Sequence, residues 1–512
     1  MHILFATPEI SPFSQEGALA DFCARLAGSI RDYRPGWAID YYEAQGIDPA
    51  EISSPIGSVA IITPLYSTMD PDAFHLARRL TQLQVPVGKA KTEIVEVYEG
   101  VTEERVPVFF LKHESFGEAP ETEDLEGSKV ARNGLRYAFF ARSVLEFCRS
   151  FSRTVDLIHC FGWATAMVPV YLCTMYEDDP KLLDTLTVLH LRDLEVQGSI
   201  AKSNLRKMGF TKSILPPEDI LLDGRANLLR SGILYADMIV SDSEAFAVQI
   251  QLPEFARGLE GDLQDRKDDL RGIVPGLDYE QWDPDADSHL PVSYNRERPN
   301  GKRRNKADLQ HIFGLPIRPL VPLVGLLGPL TKERGISMIV TAIEDLLQDE
   351  LPLQLIAMGD GDEESFAALV ALAEAFPKAI GLHFESDDAL MHRVIAGADV
   401  LVEPSPINPH GRYAAMAMRY GTIPVAFRTG GNIDLVADYD EVEAPYPNDR
   451  GVGLLFAEWN AEDLAASLDR IIEVYRIKRQ WRPVVDHCMS VDVSLAAMAH
   501  KYVLLYEKML SA

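Results

Sequence analysis

The stretch VGLLGPLTKERG, residues 324–335, carries an apolar run into a loop containing Gly328 and Pro329. The run Leu320–Leu327 is apolar throughout most of its length, and Ser337–Leu347 after the loop has helical spacing. Further strand candidates alternate with helical segments: Leu353–Met358, Ile380–Phe384, Val400–Glu403 and Ile423–Ala426 are the strands, and Glu364–Ala375 and Gly411–Arg419 are two of the helices. This alternation predicts a parallel sheet covered by helices.

The first half of the chain repeats the alternation. Its strand candidates are Ile3–Thr7, Val59–Ile62, Val106–Leu111, Asp156–His159 and Leu186–His190, and Ala18–Leu26 and Ala131–Arg149 have helical spacing. We therefore predict an α/β fold with two Rossmann-like, doubly wound domains, 1–282 and 306–480, joined by a polar linker, 283–305. The C-terminal helices, 481–512, are expected to cross back to the first domain. Ligands of such folds bind at the carboxyl ends of the strands, which predicts a cleft between the domains.

Composition narrows the class of protein. The formal net charge of −28 over 512 residues disfavours nonspecific binding to nucleic acid or to anionic membranes. The five cysteines show no CxxC spacing, which favours free thiols in a reducing compartment. The amino terminus lacks the basic start of a signal peptide, and no run reaches the roughly 18 apolar residues of a membrane span. These features predict a cytoplasmic protein, and no metal-binding motif is present.

Several short motifs occur in a shared order along nearly the whole chain. They include Gly17-Ala18-Leu19-Ala20-Asp21, Asp156-Leu157-Ile158-His159, Gly272-Ile273-Val274-Pro275-Gly276, Glu403-Pro404-Ser405 and Arg419-Tyr420-Gly421-Thr422 with Thr429-Gly430-Gly431. In this order and spacing the chain resembles the glycogen/starch synthase family. The resemblance implies the two-domain GT-B fold and a retaining transfer of glucose from ADP-glucose or UDP-glucose to an α-1,4-glucan, without a metal.

The charged groups that the resemblance implies are replaced. In the family's Arg-Leu-x-x-Gln-Lys-Gly loop, Pro329 stands for the arginine and Arg334 for the lysine, and Asn408 stands for the glutamate of Glu-Pro-Cys-Gly-Leu. In the first domain, Gln15 replaces the lysine of Lys-x-Gly-Gly-Leu, and Phe161-Gly162-Trp163-Ala164 replaces His-Asp-Trp-His. The resemblance therefore predicts a degenerate catalytic site at Gln15, Phe161, Pro329 and Asn408.

Some groups suited to a sugar nucleotide remain. The candidates for donor binding are Gly17, Asp21, Arg334, Thr429, Gly430 and Gly431. Each also has a structural interpretation: Asp21 can cap a loop, and the glycine pair can form a tight turn. His190, at a strand end, is interpreted as a polar core residue rather than as a base.

The sequence thus predicts a noncatalytic, glucan-binding or regulatory member of α-glucan metabolism, with an α-glucan or maltooligosaccharide, or a catalytic synthase, as its partner. No cofactor is predicted, and ADP-glucose or UDP-glucose remains a possible ligand. The alternative is an active glycosyltransferase that has rebuilt its phosphate clamp from Arg334, Lys332 and Arg428. A third interpretation is a pure interaction protein with a vestigial cleft.

Overall fold

The structure of the protein is a computed structural model. It describes residues 1–14, 18–38, 53–87, 91–118, 128–151, 153–192, 194–210, 220–440 and 451–511. The chain divides into two compact units. The first consists of Met1–Asp242, Ala247–Ile273 and Leu495–Ala512, and the second of Ser243–Phe246 and Val274–Ser494. Of the residues predicted to form the site, Gln15 and Gly17 lie outside the described ranges.

The first unit is built on a sheet in which nine strands are described, in the order β12-β11-β7-β6-β1-β2-β5-β4-β3. Pairing is parallel from β12 to β5 and antiparallel between β5, β4 and β3. The strands are β1 His2–Ala6, β2 Ser58–Pro64, β3 Ala77–Val87, β4 Lys91–Val101, β5 Pro107–Lys112, β6 Leu157–Phe161, β7 Leu186–Leu191, β11 Met238–Ser241 and β12 Leu270–Gly272. A small antiparallel sheet adds β8 Ser199–Ala201, β9 Leu221–Leu222 and β10 Arg225–Asn227.

Helices accompany this sheet. Those with α-helical geometry are Ala18–Arg31, Ser128–Ser150, Gly162–Thr165, Met167–Leu172, Leu228–Tyr235, Pro253–Ala256, Glu260–Asp265 and Leu495–Ser511. The central strand β6 is buried at every position, as expected for a parallel strand covered on both faces. The antiparallel pair β3 and β4 was not among the predicted strands, because its polar, largely exposed β3 lacks the continuous apolar run that marks a buried strand.

The second unit has six described strands, all parallel, in the order β15-β14-β13-β16-β17-β18. They are β13 Leu323–Leu327, β14 Gln354–Met358, β15 Ile380–His383, β16 Val400–Glu403, β17 Ile423–Phe427 and β18 Leu454–Phe456. The helices are Gly301–Ile312, Ile336–Gln348, Glu363–Ala375, Asp388–Gly397, Arg412–Arg419, Gly430–Leu435, Ala461–Arg476 and Lys478–Cys488. A further helix, Glu244–Gln249, has its first three residues in the second unit and its last three in the first.

Local sequence sets where several of these helices begin. The side chains of Asp362, Asp387 and Asn460 each accept a hydrogen bond from the backbone N–H three residues later, at 2.7–2.8 Å. Such caps satisfy backbone donors that have no partner inside the helix. One boundary differs from the prediction: the helix Gly301–Ile312 begins inside the stretch predicted as linker. The sequence did not reveal this start, because the helix is strongly polar and its amphipathic pattern is weak. Both units thus have the predicted α/β architecture, in which the main sheet of the first unit is mostly parallel and that of the second is parallel throughout its described strands.

Candidate functional site

The loop after β13 has a shape that only glycine permits at its first position. Gly328 has a φ of +100°, and a side chain there would overlap the guanidinium of Arg334 and the ring of Tyr413. The loop continues through Pro329 and a short 3-10 turn, Lys332–Arg334, to Gly335, whose φ of +85° starts the helix Ile336–Gln348. The backbone of this loop therefore places the side chain of Arg334 next to Leu327, the last residue of β13.

Arg334 is held inside the second unit by an acidic partner. Its Nη2 lies 2.8 Å from Oε1 of Glu403, and its Nε donates to Oγ of Ser405 at 2.7 Å. Its Nη1 donates to the carbonyl of Leu327 at 3.1 Å. The side chain of Glu403 is only 3% exposed and that of Arg334 is 16% exposed. The cation predicted to face a diphosphate is thus already paired with a buried carboxylate.

Two other groups complete the surroundings of this ion pair. The hydroxyl of Ser405 donates to Oε1 of Glu403 at 2.6 Å, so the carboxylate is bound from two sides. The guanidinium of Arg334 also lies 5.7 Å from the ring centre of Tyr413, and burial raises the pKa of that tyrosine. Sequence reasoning quoted Glu403 and Ser405 only as part of a family motif, and it did not select them or Tyr413 as site residues. A glutamate that ends an apolar strand was the available signal, because a buried carboxylate requires a partner.

Asn408 is engaged by the backbone and by another amide. Its Oδ1 accepts from the N–H of Gly411 at 3.0 Å, and its Nδ2 donates to Oδ1 of Asn432 at 3.1 Å. Its carbonyl accepts from the N–H of Gly431 at 2.9 Å. The asparagine at the family's glutamate position therefore joins two neighbouring loops.

The glycine pair contributes to the same junction. Gly430 has a φ of +44°, and a side chain on it would overlap the backbone of Asn408. Thr429 is buried, and its carbonyl accepts from the N–H of Asn432 at 3.1 Å. The bond from Gly431 to Asn408 occupies one N–H that a phosphate loop would present. This geometry is compatible with a tight turn, the structural interpretation of the pair, and their part in donor binding stays a prediction.

The other cations proposed for a rebuilt clamp also lie near carboxylates. Lys332 is 3.7 Å from Glu364, and both side chains are more than half exposed. Arg428 is 3.8 Å from Asp438. Pro329 is exposed and has no charge to offer, and its carbonyl lies 3.5 Å from Nη1 of Arg334.

In the first unit, Asp21 and Phe161 occupy different surroundings. Asp21, in the first turn of Ala18–Arg31, accepts from Nε of Arg25 at 2.9 Å and is half exposed. Phe161 is 1% exposed and stacks against both His159 and His190, with ring centres 4.7 and 5.3 Å away. The phenyl ring therefore belongs to the core of the first unit.

The two histidines form a buried polar chain. Nδ1 of His159 is 2.6 Å from the hydroxyl of Tyr506, and its Nε2 is 3.3 Å from Nδ1 of His190. Nε2 of His190 is 2.9 Å from Oδ1 of Asp242. Burial, and secondarily the neighbouring His190, lowers the pKa of His159 well below its ordinary value. This geometry agrees with the interpretation of His190 as a polar core residue.

Two further observations concern the part of the chain that the structure describes. None of the helices within the described ranges is long and apolar enough to cross a lipid bilayer. Across the same part of the chain, no group of three or more His, Cys, Asp or Glu side chains is placed to hold a metal ion.

Comparison with known proteins identifies the two halves. Residues 49–265 match the family model described as Starch synthase catalytic domain, and residues 311–483 match Glycosyl transferases group 1. The chain is 31% identical to glycogen synthase 1 of Geobacter sulfurreducens, over 99% of this chain and 96% of that one. It is also 31% identical to the glycogen synthase of an Anaeromyxobacter species, over 99% of each.

A solved structure extends the likeness to three dimensions. The catalytic domain of starch synthase IV from Arabidopsis thaliana, bound to ADP and acarbose, matches with a TM-score of 0.77 and 25% identity, over 100% of this chain and 99% of that one. Sucrose-phosphate synthase from Thermosynechococcus elongatus shares the fold, with a TM-score of 0.54 and 15% identity.

These likenesses, with the two α/β units, define a GT-B glycosyltransferase-type protein. The chain belongs to the glycogen/starch synthase family. The resemblance predicted from the motifs, and the fold class it implied, are confirmed. The relatives carry the name of the synthase itself. The comparisons therefore favour the alternative prediction, an active glycosyltransferase, and give no support to the noncatalytic one.

Proposed function

We propose that this chain is a cytoplasmic, α-glucan-binding member of the glycogen/starch synthase family that has lost efficient glucosyl transfer. The observation that carries the proposal is the ion pair between Arg334 and Glu403. By motif register, Arg334 stands at the lysine position of the loop that serves the donor diphosphate in the family. Its charge is offset by a carboxylate that water barely reaches.

The reason is electrostatic. In a retaining transfer, negative charge develops on the departing diphosphate, and fixed positive groups must stabilise it. Loss of one such group costs about a hundred- to thousandfold in rate. Here Pro329 supplies no charge, Arg334 is paired, and Asn408 is neutral and bonded to Gly411 and Asn432. These three positions together predict a very slow transfer.

An active glycosyltransferase is the second candidate, and the comparisons favour it. Two relatives with 31% identity over nearly the full length are named glycogen synthase, and the starch synthase IV structure is described as bound to ADP and acarbose. In this candidate the donor is ADP-glucose or UDP-glucose, and a clamp of Arg334, Lys332 and Arg428 holds its diphosphate. Each of these cations would have to exchange its present carboxylate partner for the ligand.

Two measurements on the purified protein separate the candidates. The first is incorporation of labelled glucose from ADP-glucose and UDP-glucose into glycogen, and the second is retardation of the protein in a glycogen-containing gel. The proposal expects retardation with no incorporation above background. Turnover within about tenfold of an active family member assayed in parallel would establish an active glycosyltransferase and contradict the loss of efficient transfer. If the protein showed neither glucose incorporation nor retardation, the remaining interpretation would be a pure interaction protein with a vestigial cleft.

A further inference from the structure

Four exposed arginines of the second unit come from three segments that are far apart in sequence. They are Arg303 in the first turn of the helix Gly301–Ile312, Arg318 in the loop before β13, and Arg476 and Arg479 at the junction of the helices Ala461–Arg476 and Lys478–Cys488. The contacts of Tyr475 show that these three segments lie together.

Tyr475 connects the segments through its hydroxyl group. The hydroxyl donates to the carbonyl of Pro319 at 3.1 Å and accepts from Nζ of Lys306 at 3.0 Å. Pro319 follows Arg318 in the chain, and Lys306 lies one helical turn after Arg303. Burial raises the pKa of Tyr475, and the nearby charge of Arg303 opposes that rise. The third segment begins directly after Tyr475, so all three meet around this one side chain.

Two aliphatic side chains are exposed among the arginines. Leu320 is 77% exposed and Ile477 is 45% exposed. Each is adjacent in the chain to a residue of the Tyr475 contact region, Pro319 or Arg476. Apolar groups with a polar rim are typical of a protein-binding site, and arginine is enriched in such sites. We call this surface the basic patch; it consists of Arg303, Arg318, Leu320, Arg476, Ile477 and Arg479.

The arginines of the basic patch have no carboxylate partners, although the chain is acidic. It contains 77 Asp and Glu residues against 49 Lys and Arg residues. Other exposed arginines of the same unit are paired, Arg296 with Asp486 at 2.7 Å and Arg470 with Asp440 at 2.8 Å. Within the described ranges of the chain, none of the four patch arginines forms an ion pair. Their positive charge is therefore available to a partner.

The basic patch lies at the opposite edge of the sheet from the predicted donor residues. Residues 318–320 precede β13, whereas the loop that contains Gly328 and Arg334 follows it. Because a strand rises about 3.3 Å per residue, the ends of the five-residue β13 are about 13 Å apart. A partner at the patch would therefore contact a different edge of the second unit from a sugar nucleotide.

The chemistry of the patch selects the class of partner. Guanidinium groups bind carboxylates through paired hydrogen bonds, and the exposed Leu320 and Ile477 favour apolar side chains opposite them. A phosphodiester backbone supplies negative charge without apolar side chains. Nucleic acid and anionic membranes also carry dense negative charge, which the net charge of −28 repels at long range. A short acidic protein segment brings fewer charges and supplies both kinds of group.

We propose that the basic patch binds an acidic segment of another protein, in which carboxylates flank a leucine or a similar apolar residue. The carboxylates pair with the four arginines, and the apolar residue covers Leu320 and Ile477. Clusters of arginine recognise acidic motifs in this way. The proposal does not depend on whether the chain transfers glucose, so it stands or fails separately from the function proposed above.

The test uses a fluorescent peptide in which leucines are set between glutamates, and a counterpart with glutamine in place of every glutamate. Fluorescence anisotropy with the full-length wild type should show binding of the acidic peptide that weakens with added salt. The glutamine peptide should bind at least about tenfold more weakly. Arg476→Glu with Arg479→Glu should weaken binding of the acidic peptide by about tenfold to a hundredfold.

A matched control makes the same change in net charge away from the patch. Arg206→Glu with Lys207→Glu reverses two exposed cations of the first unit and should leave peptide binding unchanged. Leu320→Ser tests the apolar part of the patch and should weaken binding of the acidic peptide by about tenfold. Glucose incorporation into glycogen, measured on the same preparations, should be equal in the wild type and in the patch variants.

Several outcomes would overturn the proposal. Equal affinity of the wild type for the two peptides, or binding of neither, would exclude recognition of an acidic segment. Binding of the acidic peptide that persists in Arg476→Glu with Arg479→Glu would locate the site elsewhere. Tighter binding of a single-stranded oligonucleotide or of phosphatidylserine vesicles, lost in that variant, would assign the patch to a polyanion.

Sedimentation of the wild type alone tests a second copy of the chain as the partner. Self-association that is lost in Arg476→Glu with Arg479→Glu would overturn the assignment to another protein. Because the two peptides are compared on the wild type, misfolding of a variant cannot hide the result.

Discussion

Glu403 and Arg334 connect two strands that are neighbours in the second sheet but are separated in sequence by other elements. Glu403 is the last residue of β16, and Arg334 lies in the loop after β13, with Oε1 and Nη2 2.8 Å apart. Because parallel neighbours end at the same edge of a sheet, the loop of one strand reaches the final residue of the other. The carboxylate of Glu403 therefore offsets the positive charge of Arg334 within the second unit.

Neutralising Glu403 should release the cation. In Glu403→Gln, Arg334 keeps a neutral hydrogen-bond partner but loses the opposing charge, so ADP should bind at least about tenfold more tightly than to the wild type. Isothermal titration with ADP measures the change. Glu364→Gln is the matched control, since it removes a more exposed carboxylate beside Lys332. Equal ADP affinities for the wild type and Glu403→Gln would show that charge pairing does not limit the site.

The ion pair should also be coupled in stability. Arg334→Met leaves Glu403 buried without its cation and should lower the free energy of unfolding by about 3 kcal/mol. The double change Arg334→Met with Glu403→Met should recover most of that loss, because an apolar pair has no charge to desolvate. Lys332→Met, at an exposed pair, should cost about 1 kcal/mol or less. Urea unfolding of the four proteins tests this, and a double variant no more stable than Arg334→Met would argue against coupling.

Restoring the family's charged residues should not suffice. Pro329→Arg with Asn408→Glu returns two groups, but Arg334 remains paired, and the bond from Asn408 to Asn432 is lost. We expect the double variant to gain less than about tenfold in glucose incorporation into glycogen, and a triple variant with Glu403→Gln to exceed it by about a hundredfold. A double variant as active as the triple would mean that Glu403 is immaterial to transfer.

The buried histidine pair predicts a pH dependence of stability. The pKa of His159 is lowered well below its ordinary value of 6.5 by burial, so the unfolded chain takes up a proton that the folded chain excludes. Stability from this group is therefore lost as pH falls from about 7 to 5, by at most about 1.4 kcal/mol per pH unit.

His159→Gln should reduce the slope of the free energy of unfolding against pH, by at most the amount that corresponds to the uptake of one proton on unfolding. Urea unfolding at pH 5, 6 and 7 gives the slope, and the exposed His311→Gln is the control for loss of one imidazole. An unchanged slope in His159→Gln would show that His159 is protonated in the folded chain.

Much of the fold could be predicted because its signals are local. The continuous apolar runs of β13, β14 and β16 mark buried parallel strands, and the helix Ile336–Gln348 was predicted within a few residues. The antiparallel pair β3 and β4 was missed, because much of β3 is polar and exposed and neither strand has a continuous apolar run. The start of the helix Gly301–Ile312 was also missed, because the helix is strongly polar, its amphipathic pattern is weak and no side chain caps its start.

The sequence by itself determined which charged groups are absent: Pro329 and Asn408 carry no charge in any fold. Only the tertiary structure decided what the remaining groups do. Arg334 could have faced solvent or a ligand, and Glu403 was known only as a motif residue at the end of a predicted strand. Their partnership depends on β13 and β16 being adjacent, a contact 69 residues apart in sequence. Sequence patterns report the periodicity of single elements, whereas the pairing of two charges depends on the order of strands in the sheet.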